Sequence, residues 1–254
     1  MSTIPGRRAL VAATPPEPAT PEPAGLERHA VPSPHPLLAW LRAAADGRYP
    51  PADGGCSVLP PFTGGLECSM AFTGHAVIAT ALPADAVRAR QPDGFGGSLA
   101  PDFLRWLAGE RGWIGVIDVT LMARGRGDGT LPERVDAADH PRVRHATALR
   151  REVKVYGDER GLVTIARGLA GRRELSVEAD PQGQGRGWGR SLLQDALGLV
   201  PPDESVFAAV SPGNARSLRA FLAVGFVPIG AEVLLRPERG LSGEAGPVTG
   251  VPGG

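Results

Sequence analysis

Between Arg173 and Ala179, Leu175, Val177 and Ala179 fall on one face and Glu174, Ser176 and Glu178 on the other, the period of a half-buried strand. Pro181 ends it, because proline supplies no amide to a ladder. Two strands lead into it: Glu152 to Tyr156, a turn over Gly157–Gly161, then Leu162 to Leu169. Downstream the period changes. Gly183, Gly185, Gly187 and Gly189 take alternate places, and an apolar helix opens at Leu192 and Leu193. Ser205 to Ser211 reads as a further strand. Asn214 then caps a helix with Leu218, Phe221 and Leu222 on one face, and Gly225 ends it.

The first half of the chain reads less regularly. A helix is expected over Pro36–Ala45, with Leu37, Leu38, Trp40 and Leu41 on its apolar side. Two strands, Leu66–Phe72 and His75–Leu82, meet at a tight Thr73-Gly74 turn. His75 reads as a half-exposed strand-end residue, not a catalytic one. A helix over Pro101–Leu107 and a strongly apolar strand over Trp113–Met122 follow. Asp118 stands out inside that strand, because a buried carboxylate needs a partner. Ala123–Thr130 reads as a glycine loop, whose Arg126-Gly127-Asp128 triplet is not taken as an adhesion motif, and Arg142–Leu149 as a short helix.

These elements imply a division into a proline-rich disordered tail (1–33), an N-terminal α+β extension (34–135), a core (136–238) and a glycine-rich tail (239–254). Composition narrows the function. Formal net charge is zero and aromatic residues are 5%, which argues against a nucleic-acid or membrane partner. Nearly all basic residues are arginine, a bias expected of a GC-rich genome. The two cysteines, Cys56 and Cys68, make no disulfide framework, and with the five histidines they show no metal-ligand spacing. No apolar run is long enough for a membrane span, and prolines interrupt the stretch after Arg7 and Arg8, so a cytoplasmic protein is expected.

A strand, a glycine turn and a helix N-terminus form an anion site, because amides without intrahelical partners point outward at the positive end of the helix dipole. The dinucleotide spacing G-x-G-x-x-G fails, since its last position falls on Trp188 or Arg190. A P-loop fails too, because the chain's one lysine is Lys154. What remains, Gln184-Gly185-Arg186-Gly187-Trp188-Gly189, resembles the coenzyme A pyrophosphate loop of the GNAT superfamily of acyl-CoA-dependent N-acyltransferases: Gln or Arg, two residues, Gly, one residue, then Gly or Ala. The unit N-A-R-S-L-R-A-F-L-A-V-G-F from Asn214 resembles that family's second signature.

The resemblance covers roughly residues 140–237. It implies an α/β (α+β) fold with a mixed, mostly antiparallel central sheet flanked by helices, with Trp113–Met122 a candidate for its first strand. It implies that amides of Gln184 to Gly189 hold the pyrophosphate of acetyl-CoA, that the backbone of Val177 and Ala179 pairs with the pantetheine arm, and that Arg186 and Arg190 add charge. Asn214, Ser217 and Phe221 fall where the family contacts the cofactor. Glu178 and Glu174 are the candidate general bases, as the family often places a carboxylate on this strand; they share a face, and the alternative is that one pairs with Arg172 or Arg173. Phe221 replaces the usual tyrosine, whose hydroxyl would protonate the leaving thiolate, so either another donor, Tyr156 or Ser217, replaces it or the enzyme does without. The expected activity is acetyl transfer from acetyl-CoA to a primary amine by a monomer or homodimer without metal; the alternative is a non-catalytic acyl-CoA-binding module.

Overall fold

The computed structural model describes residues 34–240. The expected tail 1–33 lies outside them, as does 241–254. Ten strands form one sheet. In chain order the elements are α1 (Leu37–Ala45), β1 (Cys56–Leu59), β2 (Glu67–Phe72), β3 (His75–Ala79), α2 (Ala84–Arg88), α3 (Pro101–Ala108), β4 (Trp113–Ile114), β5 (Asp118–Arg124), α4 (Pro141–Leu149), β6 (Arg151–Asp158), β7 (Gly161–Arg167), β8 (Arg173–Ala179), α5 (Trp188–Gly198), β9 (Ser205–Val210), α6 (Ala215–Ala223) and β10 (Val227–Arg236). The strand order is β1-β3-β2-β10-β5-β9-β8-β7-β6, with β4 also on β10. Among the described residues only β1–β3 and β8–β9 run parallel. The chain is therefore the expected α/β fold, a large, mostly antiparallel sheet flanked by helices.

Strand alternation sends neighbouring side chains to opposite faces, so each face has its own core. Leu121, Val163, Ile165, Leu175 and Val206 pack beneath α5 and α6 on one face. On the same face, at the β1–β3–β2 end, Ala76, Ile78, Val233 and Leu235 meet Phe103, Leu104 and Leu107 of α3. The opposite face is covered by α1, over Met70, Phe72, Met122 and Phe207, and by α4, over Val155 and Leu162. In α1, Leu37, Leu38 and Leu41 are at most 5% exposed, at helical spacing. Each such leucine stabilises the packing by about 1.5–3 kcal/mol. Between α1 and α4 the middle of this face is left for polar residues.

The structure departs from the sequence reading in several places, among them α5, which starts at Trp188 and not at Leu192. The apolar run from Trp113 is cut at Gly115, whose amide bonds Leu234, and β5 continues to Arg124 instead of yielding to a loop at Ala123. That strand lies between β9 and β10, so residues from both halves of the chain share the centre of the sheet. The elements β1, α2 and β10 were not anticipated; four residues between Gly55 and Pro60 are too few to show a period, and β10 is interrupted by Pro228 and Gly230. Arg239, where the glycine-rich tail was expected to begin, donates to Glu67 and to Thr80 Oγ1 (2.9 Å).

Candidate functional site

β8 and β9 meet at a single register pair, Glu174 with Phe207. On its other side β8 stays in full register with β7 from Arg173 to Ala179. Past Glu174 the two parallel strands therefore separate, and a gap opens towards their C-terminal ends. The direction of the backbone along this gap follows from the β7 ladder. Asp180 N–H bonds Arg160 C=O and Gly168 N–H bonds Arg172 C=O (both 2.9 Å), so the even-numbered residues turn their peptide groups to β7. Antiparallel alternation then turns those of Leu175, Val177 and Ala179 into the gap.

The gap ends at the glycine turn. Asp180 accepts from Gln182 N–H at 2.8 Å and starts a short 3₁₀ turn over Pro181–Gly183. The ring of Trp188 folds back onto Gly183, where a Cβ would come within 2.3 Å of it. Gly185 (φ +77°) and Gly187 (φ +79°) are left-handed with nothing within 4 Å of a Cβ position, so conformation and not crowding requires glycine. At Gly189 a Cβ would touch only that of Ala179, at 3.6 Å, an ordinary contact. The first bond of α5 runs from Ser191 N–H to Gly187 C=O (3.0 Å). The amides of Gly187, Trp188, Gly189 and Arg190 are thus left without intrahelical partners. Gln184, Arg186 and Arg190 are exposed around the turn. An anion placed here meets several N–H groups and the positive end of an 11-residue helix.

Across the gap, Asn214 caps α6 by accepting from Ser217 N–H at 3.1 Å, and Ser217 is half-buried. Phe221 is 3% exposed and packs edge-on against Phe226, with ring centroids 4.8 Å apart. Tyr156 sits on β6, two strands from the gap, against the core beneath α5.

No protein-family model and no curated protein matches the chain. Among solved structures it is similar to a functionally unknown conserved protein from Staphylococcus epidermidis ATCC 12228 (15% identity, TM-score 0.35, 54% of this chain covered). It is also similar to a GNAT-family acetyltransferase from Colwellia psychrerythraea (10%, 0.30, 50%) and a GNAT-family acetyltransferase candidate from Novosphingobium aromaticivorans DSM 12444 (18%, 0.27, 50%). The chain spans 66%, 57% and 68% of those three proteins. Function is therefore read from the gap itself.

The polar residues between α1 and α4 organise around Arg172, whose side chain is fully buried. Its guanidinium donates to both carboxylate oxygens of Glu232 at 2.6 Å and to Glu174 Oε1 at 2.8 Å. Arg150 holds the other oxygen of Glu174 at 2.7 Å. Burial by itself raises the Glu174 pKa, but the charges of Arg172 and Arg150 outweigh it and hold the carboxyl below its ordinary value. A carboxylate so engaged is a poor proton acceptor. Glu178 is half-exposed and accepts from Arg142 of α4 at 3.0 Å, beside a cavity of about 480 Å³ that also takes in His140, Asp136, Asp158 and Asp180.

Asp118 is a different case. Thr120 pairs with Ala209 and Val119 with Val210, so Asp118 lies one place beyond the end of β9, at the mouth of the gap. It shares a face with Thr120, which donates to Glu232 at 2.7 Å. Burial, then the negative charge of Glu232, pushes its pKa up to about 6. Sequence reading noticed this carboxylate without assigning it. Its neighbours come from β8 and β10, far away in the chain; the pairing of Arg172 with Glu174 is the one the sequence offered, whereas Glu232 gave no local signal.

Proposed function

We propose that the protein is an N-acyltransferase of the GNAT type that moves an acetyl group from acetyl-CoA to a primary amine. The observation that carries this reading is the parallel pair β8–β9, which parts after Glu174 and leads its unpaired β8 edge into the glycine turn at the head of α5. Unpaired amides of Gly187 to Arg190, with Gly185, suit a pyrophosphate, and Arg186 and Arg190 add positive charge. The inward-facing peptide groups of Val177 and Ala179 suit the amides of a pantetheine arm. One of their N–H groups also suits the oxyanion of a tetrahedral intermediate.

Attack on a thioester requires a neutral amine, and an alkylamine of pKa about 10 is mostly protonated at neutral pH. Asp118 supplies the base in this scheme. With a pKa near 6 it is ionised at pH 7 and can take the proton that the amine nitrogen, made acidic by its attack, must lose. Glu174 then acts through Arg172, fixing the charge around Asp118. Phe221 offers no proton to the departing thiolate. With a thiol pKa of about 8.5, water can protonate it and no side-chain acid is obligatory.

Acetyl-CoA titration by calorimetry tests the reading, with Gly189→Glu as the control. That position is helical and open, so the substitution sets a negative charge among the phosphate-binding amides without backbone strain. Micromolar binding by the wild type, weakened at least tenfold in the variant, is expected. No binding by the wild type overturns it. The buried Phe221 favours one second reading, an acyl-CoA-binding module without turnover. Saturable binding with no acetylation across a panel of amines at pH 8 selects that reading over the enzyme.

A further inference from the structure

The sequence reading made His75 a half-exposed turn neighbour. The structure buries it, at 7% exposure, and gives both ring nitrogens partners. His75 Nδ1 lies 2.8 Å from Asp53 Oδ1, and Nε2 lies 3.0 Å from Ser57 Oγ. A carboxylate only accepts, so Nδ1 carries the proton and Nε2 is left to accept from the Ser57 hydroxyl. Asp53 is itself fixed by Gly55 N–H, which donates to the same oxygen at 2.8 Å. The His75–Asp53 bond, foremost, keeps that carboxyl below its ordinary pKa, so it stays charged at neutral pH. Trp40 of α1 stacks on the imidazole at 5.7 Å and 11° and holds the ring in place.

We infer that Ser57, His75 and Asp53 form a nucleophilic centre that hydrolyses small carboxylic esters, separate from the β8–β9 gap and independent of the transferase reading. The constellation has a nucleophile bonded to a base and the base bonded to an orienting carboxylate. Ser57 is half-buried on β1, the last strand of the sheet. Ala76 N–H bonds Gly55 C=O, and Thr80 N–H bonds Leu59 C=O (both 3.0 Å). With the parallel register of β1 on β3, these bonds turn the peptide groups of Gly55, Ser57 and Leu59 to β3 and leave Val58 N–H on the open edge. That amide, directly after the nucleophile, is the donor available to an oxyanion.

The steps balance. Ser57 Oγ bonds to the ester carbonyl carbon while its proton passes to His75 Nε2, and Asp53 holds the imidazolium. The carbon–oxygen bond to the alcohol breaks and His75 returns the proton to the departing oxygen. Water then attacks the acyl-serine, giving its proton to His75. Collapse releases the acid and restores the Ser57 hydroxyl, so ester and water become acid and alcohol.

The test is covalent labelling of the full chain with a fluorophosphonate–biotin probe at pH 8, mapped by mass spectrometry, with p-nitrophenyl acetate hydrolysis in parallel. Label on Ser57 is expected. It should vanish in Ser57→Ala and slow by roughly a hundredfold or more in His75→Gln, the range typical of losing a general base. Asp53 is half-exposed, so Asp53→Asn is the variant that tests the centre without threatening the fold; it should slow labelling too. Acetyl-CoA binding should be unchanged in Ser57→Ala, which separates the two sites. A folded wild type left unlabelled at Ser57, or equal labelling rates in the wild type and Asp53→Asn, overturns the inference.

Discussion

Replacing Arg172 by methionine should be among the most damaging single changes in the chain. The side chain is fully buried, and its three donated bonds, at 2.6–2.8 Å, are shared between Glu232 and Glu174. Glu232 and Glu174 are 4% and 5% exposed. In the variant Glu174 keeps Arg150, but Glu232 keeps only the hydroxyl of Thr120. Breaking a buried pair in this way costs about 3–5 kcal/mol, most of it the desolvation of the carboxylate left behind. For a chain of this size that corresponds to a Tm lowered by roughly 6–20 °C. The pH dependence separates this cause from lost packing. In the wild type Glu174 has a depressed pKa, so its contribution is present above the unfolded value of about 4.3 and is lost as pH falls through the folded one. In Arg172→Met the charge that chiefly offsets the burial of Glu174 is gone, so the penalty is largest at high pH and shrinks on acidification. Urea melts of both proteins at pH 4.5 and pH 8 provide the assay. A difference below about 1 kcal/mol at pH 8, or one unchanged between the two pH values, would refute the reasoning. The same variant should raise the pKa of Asp118, because Arg172 is the positive charge that lowers it.

Other consequences concern the gap. If Asp118 is the base, the rate of amine acetylation should fall below pH about 6, and Asp118→Asn should remove that limb and lower kcat about 10²–10⁴-fold. The raised pKa also means that ionising Asp118 opposes folding, so Asp118→Asn should gain stability relative to wild type as pH rises from 5 to 8, read by thermal melting. Gly187→Ala should destabilise by about 1–2 kcal/mol through its left-handed φ, whereas Gly189→Ala should not, since its added Cβ makes only an ordinary contact. Phe221→Tyr should restore no activity and should cost about 1–3 kcal/mol, because the hydroxyl would enter the apolar cluster with Phe226. Turnover under acetyl-CoA saturation and urea melts check it.

What the sequence determined was local. Alternation from Arg173 to Ala179, the stop at Pro181, the glycines that follow and the Asn214 cap are each set by the backbone and neighbours within a few residues, and each is found where the sequence places it. The meander from β6 to β8 was legible for the same reason: its strands pair through short turns. Only tertiary structure could decide what distant segments do to one another. It placed β5 beside β9, which set Asp118 at the mouth of the gap, and brought Arg172 and Glu232 together across the sheet. Those meetings turn Glu174 from a candidate base into a bound counter-ion and give Asp118 its shifted pKa. Likewise, nothing in the spacing of Asp53, Ser57 and His75 announces a bonded chain. The parallel pairing of β1 with β3 creates it, because sheet register, and not sequence separation, sets which side chains come within hydrogen-bond reach.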